Sequence, residues 1–99
     1  MDRQTLSIMK ACEAVGFCER GNADGLVETG ALELGGALPV NPSGGPMCAN
    51  PIGATGLVRV AECVEQLRGT AGARQIKDAE IALTTAGAMT CGSAMILRN

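Results

Sequence analysis

Chemistry has few places to sit in this chain. No histidine occurs, and the five cysteines, Cys12, Cys18, Cys48, Cys63 and Cys91, fall at irregular spacings with no CxxC pair. A zinc site therefore cannot be composed from them, and no metal site is expected. Cys48 lies in a Gly-rich loop two residues before Asn50. It could act as the nucleophile of a reduced active site, helped only by a helix N-terminus because no histidine is there to activate it; the plainer alternative is an incidental thiol. The second place is the run Gly53, Ala54, Thr55, Gly56. A Gly-rich turn opening a helix presents free backbone N–H groups and favours an anion, although a tight turn with an N-cap would look the same. No lysine follows Gly56, which excludes a phosphate-binding P-loop. Glu62 and Glu65 read as a solvated helix face, Asp24, Glu28 and Glu33 as linker solvation, and Met47, Met89 and Met95 as gap-fillers in the core.

Several elements must hold these residues. Residues 5–15 read as a helix, with Leu6, Ile8, Met9 and Cys12 as an apolar stripe, Thr5 as N-cap and Gly16 as its C-terminal stop. A polar, Gly-rich connection follows over 19–36, long enough to be functional or mobile. Residues 37–41 form a short strand, which Pro39 confines to a sheet edge or a strand start. The loop 42–53 comes next, and its glycines and prolines let something approach the backbone closely. Residues 55–68 make the best helix, with Leu57, Val60, Ala61, Val64 and Leu67 on one face, Arg59, Glu62, Glu65 and Gln66 on the other, and Gly69 as the stop. The apolar runs 81–83 and 94–97, joined through Gly-bearing turn segments, predict a β-hairpin. The expectation is an α/β unit in the order helix, strand, helix, two-strand hairpin, with a three-stranded mixed sheet packed by two helices. Organisation is one domain over 1–99: a helix over 1–18, a linker over 19–36, and a core over 37–99 that carries the loop 42–56.

Composition narrows the partners. Hydrophobic residues make up 46% of the chain and the formal charge is -2, so the chain is not of the disordered class. Phe17 is the sole aromatic, and the core must be built from small aliphatic side chains. Without a basic stripe or an aromatic platform, nucleic-acid binding is not expected. No apolar run approaches the roughly 20 residues of a membrane span, and the N-terminus lacks a secretory pattern. These features point to a cytoplasmic protein with reduced thiols.

The combined pattern is more specific than its parts. Val40-Asn41, Ser43-Gly44-Gly45 and Pro51-Ile52-Gly53-Ala54-Thr55-Gly56, followed by an amphipathic helix, resemble the C-terminal block of the thiolases. The final strand, Gly-bearing turn and strand fit as well. Glu13-Ala14-Val15-Gly16-Phe17-Cys18, the polar linker and Gly35-Gly36-Ala37-Leu38-Pro39 are most similar to the lipid-transfer-protein (sterol-carrier-protein-2) branch. The resemblance covers nearly the whole chain. It implies part of an enzyme that makes or breaks carbon–carbon bonds on acyl-CoA, with acyl-CoA as substrate and no resident cofactor.

In that family a cysteine of the N-terminal half takes the acyl group. A histidine in this loop activates it and helps hold the thioester oxygen, and a second cysteine between the last two strands moves a proton. Three departures follow. Asn50 stands in the histidine's place, in a loop one residue shorter than usual, with four residues between Gly45 and Asn50. An amide can donate to an oxyanion but cannot shuttle a proton near neutral pH. The family's C-terminal cysteine falls near Thr84 or Thr85, and threonine is a poor acid or base; Cys91, later in the turn region, either compensates or packs. Finally, Met1-Asp2-Arg3-Gln4 does not match the segment that orders the oxyanion-hole water.

The resemblance therefore implies Asn50, Thr84 and Cys91 as the catalytic positions, and Ser43, Gly44, Gly45, Gly53, Ala54 and Thr55 as substrate-contacting ones. It also implies that the nucleophile half and the first strand, helix and strand of the C-terminal half would lie before Met1. Sheet edges would then be open, calling for a partner chain or self-association. The expected function is the thioester-facing segment of a thiolase-like acyltransferase or lipid-transfer protein, inactive alone. The alternatives are a non-catalytic acyl-CoA or lipid-binding or scaffold subunit, or an inactive remnant.

Overall fold

A computed structural model describes residues 5–44, 52–87 and 92–99. Helix α1 spans Thr5–Ala14, α2 Ala23–Glu28 and α3 Thr55–Arg68, with 3-10 turns at Ile52–Ala54 and Gly72–Arg74 and strands β1, Ile81–Gly87, and β2, Gly92–Arg98. All three α-helices end alike. Phe17 N–H donates to Cys12 O at 3.0 Å and Gly16 N–H to Glu13 O at 3.2 Å; the same i−5 and i−3 pairs recur at Ala31 and Gly30, and at Thr70 and Gly69. Each pair satisfies carbonyls left over by the helix. It requires a left-handed residue, supplied by Gly16, Gly30 and Gly69 at φ 85, 72 and 71. The stops expected at Gly16 and Gly69 are in place, and the 19–36 stretch contains α2.

The sheet differs from expectation. It has two antiparallel strands rather than three mixed ones, and three α-helices rather than two accompany it. Residues 37–41 are not a strand of it. Leu38 N–H donates to Ala31 O at 2.8 Å and Val40 N–H to Leu32 O at 3.1 Å, which ties this segment to the irregular chain after α2. Pro39, between them, has no N–H to continue a ladder, and Asn41 turns the chain away at φ 51.

The hairpin expected from the two apolar runs is present with longer strands, in register from Ile81↔Arg98 to Gly87↔Gly92. Asn99 N–H donates to Glu80 O at 3.0 Å, carrying the ladder one pair further. Antiparallel pairs alternate between hydrogen-bonded and non-bonded. Residues 82, 84 and 86 therefore exchange bonds with 97, 95 and 93. The backbone groups of 81, 83, 85 and 87 on β1, and of 92, 94, 96 and 98 on β2, point outward from the pair.

Helix α3 lies over β1 more than β2. Its polar residues do not all form a solvated face: Glu65 is exposed, but Glu62 is half-buried. Gln66 is 5% exposed. Its Nε2 donates to Glu62 Oε1 at 3.0 Å and to Arg74 O at 2.8 Å, and its Oε1 accepts from Ile76 N–H at 2.8 Å. Gln75 Nε2 donates to Gln66 O at 2.9 Å. Arg74 Nη2 reaches Glu62 Oε2 and Glu65 Oε2, each at 2.9 Å. Leu57 is instead 75% exposed. The spacing 59, 62, 66 turns one polar stripe inward, toward β1 and the 71–76 segment. The apolar core is correspondingly slight: the buried hydrophobic side chains among the described residues are Cys12, Ala23 and Ala71.

Candidate functional site

The start of α3 is locked onto the turn-side half of β1. The 3-10 turn Ile52–Ala54 runs straight into the helix, leaving Gly53 and Ala54 exposed and Thr55 and Gly56 half-buried. A Cβ built on Gly56 would meet Ala86 Cβ at 3.3 Å. One turn later, Arg59 Nη1 donates to Thr85 O at 2.6 Å. That carbonyl is one of the outward-pointing groups of β1, so Arg59 occupies part of that sheet edge.

Thr84 is 9% exposed and opposes Met95 in the register, with its side chain on the same face as Ala86, toward α3. Thr85 lies on the opposite face. It lines an open groove of about 350 Å³ with Ala86, Ser93 and Ala94 on one side and Ala11, Ala14 and Val15 of α1 on the other. The lining is apolar apart from the two hydroxyl-bearing side chains. Ser93 Oγ lies 3.5 Å from Ala86 O, longer than an ordinary hydroxyl hydrogen bond.

Residues 53–56, 84–86 and 92–94 thus meet at one end of the α3–β1 layer. Ser43 and Gly44 lie in the turn closed by Gly44 N–H to Asn41 O at 2.9 Å, just after Leu38 and Val40, which are bonded to residues 31 and 32. Asn50, Gly45 and Cys91, and with them Cys48, Met47 and Met89, lie outside the described residues. Arg59 and Ser93 were not singled out from sequence. No sequence signal pointed to either: Arg59 shares helical spacing with Glu62 and Gln66, a pattern that ordinarily faces water.

Among the described residues the free cysteines are Cys12, Cys18 and Cys63, and none is set up as a nucleophile. Burial pushes the Cys12 thiol above its ordinary value, with the neighbouring Cys18 adding to it. Burial raises Cys63 as well, helped by the charge of Glu62. Cys18 is raised by desolvation and then by Glu13 and Asp24. All three shifts disfavour the thiolate, the reactive form. Glu62 moves the other way: burial opposes its ionisation, but hydrogen bonds from Arg74 and Gln66 and the Arg74 charge outweigh that and hold its carboxyl below the ordinary value. Among the described residues no group of three His, Cys, Asp or Glu side chains could hold a metal, and no helix is long and apolar enough to cross a membrane.

Residues 1–99 match the thiolase C-terminal domain-like family along their whole length. The chain belongs to that family. This thiolase C-terminal chain is 45% identical over 87 residues to an acetyl-CoA acetyltransferase of Methanothermobacter thermautotrophicus, covering 87% of this chain and 23% of the relative. It is 47% identical over 72 residues to sterol carrier protein 2 of Oryctolagus cuniculus, covering 72% of this chain and 13% of the relative. A third relative, the 17-hydroxy-3-oxo-4-pregnene-20-carboxyl-CoA lyase of Mycobacterium tuberculosis, is 40% identical over 85 residues, 86% of this chain and 21% of the relative. The thiolase C-terminal chain therefore spans less than a quarter of the length of these relatives.

Proposed function

We propose that the chain is the C-terminal part of a thiolase-like acyl-CoA acyltransferase or lipid-transfer protein, and that the stretch 42–56 faces the CoA thioester. The observation that carries this reading is the meeting of residues 53–56, 84–86 and 92–94 beside an apolar groove, in a chain of the thiolase family. In this reading Ser43, Gly44, Gly45, Gly53, Ala54 and Thr55 contact the substrate. Asn50 donates to the thioester oxyanion, an electrostatic contribution of about 3 kcal/mol. Thr84, buried and a poor acid or base, shapes the site rather than moving protons, which leaves Cys91 as the candidate proton carrier of this chain. Acyl-CoA is the substrate, no resident cofactor is needed, and free thiols suit a reducing cytoplasm.

In this reading the acyl-accepting nucleophile is supplied from outside these 99 residues: the thiols of Cys12, Cys18 and Cys63 are shifted away from the thiolate, and no histidine is present to activate a cysteine. The same facts favour a second reading, a non-catalytic subunit that holds an acyl-CoA or lipid tail. Co-expression with the nucleophile half of a thiolase relative tests both. Acyl-CoA turnover by the purified complex is expected. A soluble complex that binds acyl-CoA without turnover would replace the first reading with the second, and a complex that binds no acyl-CoA would overturn both. The isolated chain is expected to release no CoA.

A further inference from the structure

We infer that the Asp24–Gly25 bond in the first turn of α2 is a self-modification site, where the aspartate converts to isoaspartate through a cyclic imide. The chemistry is internal to the chain and independent of the acyl-CoA reading. Of the three aspartates, Asp2, Asp24 and Asp78, only Asp24 precedes a glycine, and no asparagine does. A glycine has no Cβ to hinder the approach of its own nitrogen to the preceding carboxyl. The structure brings the reacting groups together: Gly25 N–H donates to Asp24 Oδ1 at 2.9 Å. A first-turn N–H has no acceptor within its helix, and here the preceding side chain takes that place. Both residues are exposed, and the only other molecule involved is water, which needs no free docking surface.

The step balances without an oxidant or a cofactor. The Gly25 nitrogen loses its proton and attacks Cγ of the protonated Asp24 carboxyl. The N–Cγ bond forms, a Cγ–O bond breaks, and one water leaves. Water then reopens the imide. Attack at Cγ restores aspartate. Attack at the Asp24 backbone carbonyl gives isoaspartate, with the main chain routed through Cβ and Cγ. A stable helix resists this closure by fixing the backbone, but here the hold is weak. Helix α2 has six residues, far below the length at which a helix stands by itself. Asn22, its N-cap, makes no side-chain capping bond, and Gly25 sits inside it, where glycine is unfavourable. Such a turn opens locally without global unfolding. Once isoaspartate forms, the Asp24 carbonyl is a free carboxylate and the main chain is one atom longer. The stretch left from Gly25 to Glu28 is too short to stay helical.

Ageing the purified chain in near-neutral buffer tests this, beside a synthetic peptide of residues 19–29 as the unstructured reference. Isoaspartate at each position is read by electron-transfer fragmentation of digested peptides. At position 24 it is expected to accumulate within about threefold of the peptide's rate, as local opening of the turn allows. It should also accumulate roughly tenfold faster than at Asp78, which precedes Ala79. A Cβ at Gly25 meets nothing within 4 Å, so Gly25→Ala fits the fold and is expected to slow the reaction about tenfold. In the isomerised fraction, hydrogen exchange should quicken at Thr29, Gly30 and Ala31, whose N–H groups are bonded back into α2, and not in α3. A rate at position 24 more than about threefold below the peptide's would show that the fold protects the bond and would overturn the proposal. Equal rates at 24 and 78, an unaltered rate in Gly25→Ala, or unchanged exchange at residues 29–31 would do the same.

Discussion

Two regions flank β1. On one side, α3 and the 71–76 segment close around Gln66, whose side-chain amide and backbone carbonyl are all bonded within the chain. On the other, Ile81 at 71% and Ile96 at 72% exposure stand open. The closed side is polar and hydrogen-bonded around Gln66; the open side is apolar at Ile81 and Ile96. Buried polar groups are costly unless bonded, so the first region can be complete only as a network. Apolar surface is worth roughly 25 cal/mol per Å² only when something covers it. The attachment of α3 thus rests largely on a polar seam, while the apolar side chains Ile81 and Ile96 stay exposed.

The largest effect should come from breaking that seam at its centre. Gln66→Ala strips partners from Glu62, the Arg74 carbonyl and the Ile76 N–H together. A loss of about 3 kcal/mol is expected, since each unsatisfied buried group costs roughly 1–3 kcal/mol. Urea unfolding at neutral pH measures it, and a loss below about 1 kcal/mol would show that the seam is not what holds α3. Arg59→Met ranks next, at about 2 kcal/mol. It removes the bond to Thr85 O but keeps the apolar stem. Hydrogen exchange should quicken at the first turn of α3 and not at residues 62–68; uniform quickening would mean that Arg59 supports the whole helix.

The same contrast explains what could be read in the sequence. Helices α1 and α3 and the hairpin were legible because glycines stop the helices and apolar runs mark the strands. The inward turn of Arg59, Glu62 and Gln66 was not, because polar residues at helical spacing normally face water, and only the partner segment 71–76 reveals otherwise. The strand at 37–41 failed for a related reason: its backbone partners are residues 31 and 32, close in sequence, and not a strand of the sheet. For the site, the helix start at Thr55 was legible from its flanking glycines, whereas Thr84 entered only through the family resemblance and its burial was not legible. Nor was the groove, because it is assembled from α1 and the hairpin, far apart in sequence.

A milder perturbation of the seam is pH. The carboxyl of Glu62 is depressed in the folded state, so its contribution is fully present above its ordinary value of 4.5 and is lost as pH falls through the depressed one. Wild-type stability should therefore drop below about pH 4.5. Glu62→Gln should lower stability at pH 7, because Arg74 loses a partner, and should flatten the acid limb of the profile. An unchanged acid limb would assign the acid sensitivity to other carboxylates. Changes on the open side should do far less. Ile96→Ser is expected to leave the chain within about 0.5 kcal/mol of wild type.

A small effect, and the sharpest about geometry, belongs to Gly56→Ala. In a helix this exchange ordinarily gains up to about 1 kcal/mol. Here the new methyl meets Ala86 Cβ at 3.3 Å, closer than comfortable packing, so β1 has to yield. Arg59 holds the adjacent Thr85 carbonyl and prevents that movement. The two effects nearly cancel, and a net loss below about 1 kcal/mol is expected. In an Arg59→Met background the strand is free to shift, and the same substitution should become stabilising. A sign reversal in the double-mutant cycle would locate the coupling in this one contact, whereas additive effects would mean that the start of α3 and β1 relax independently.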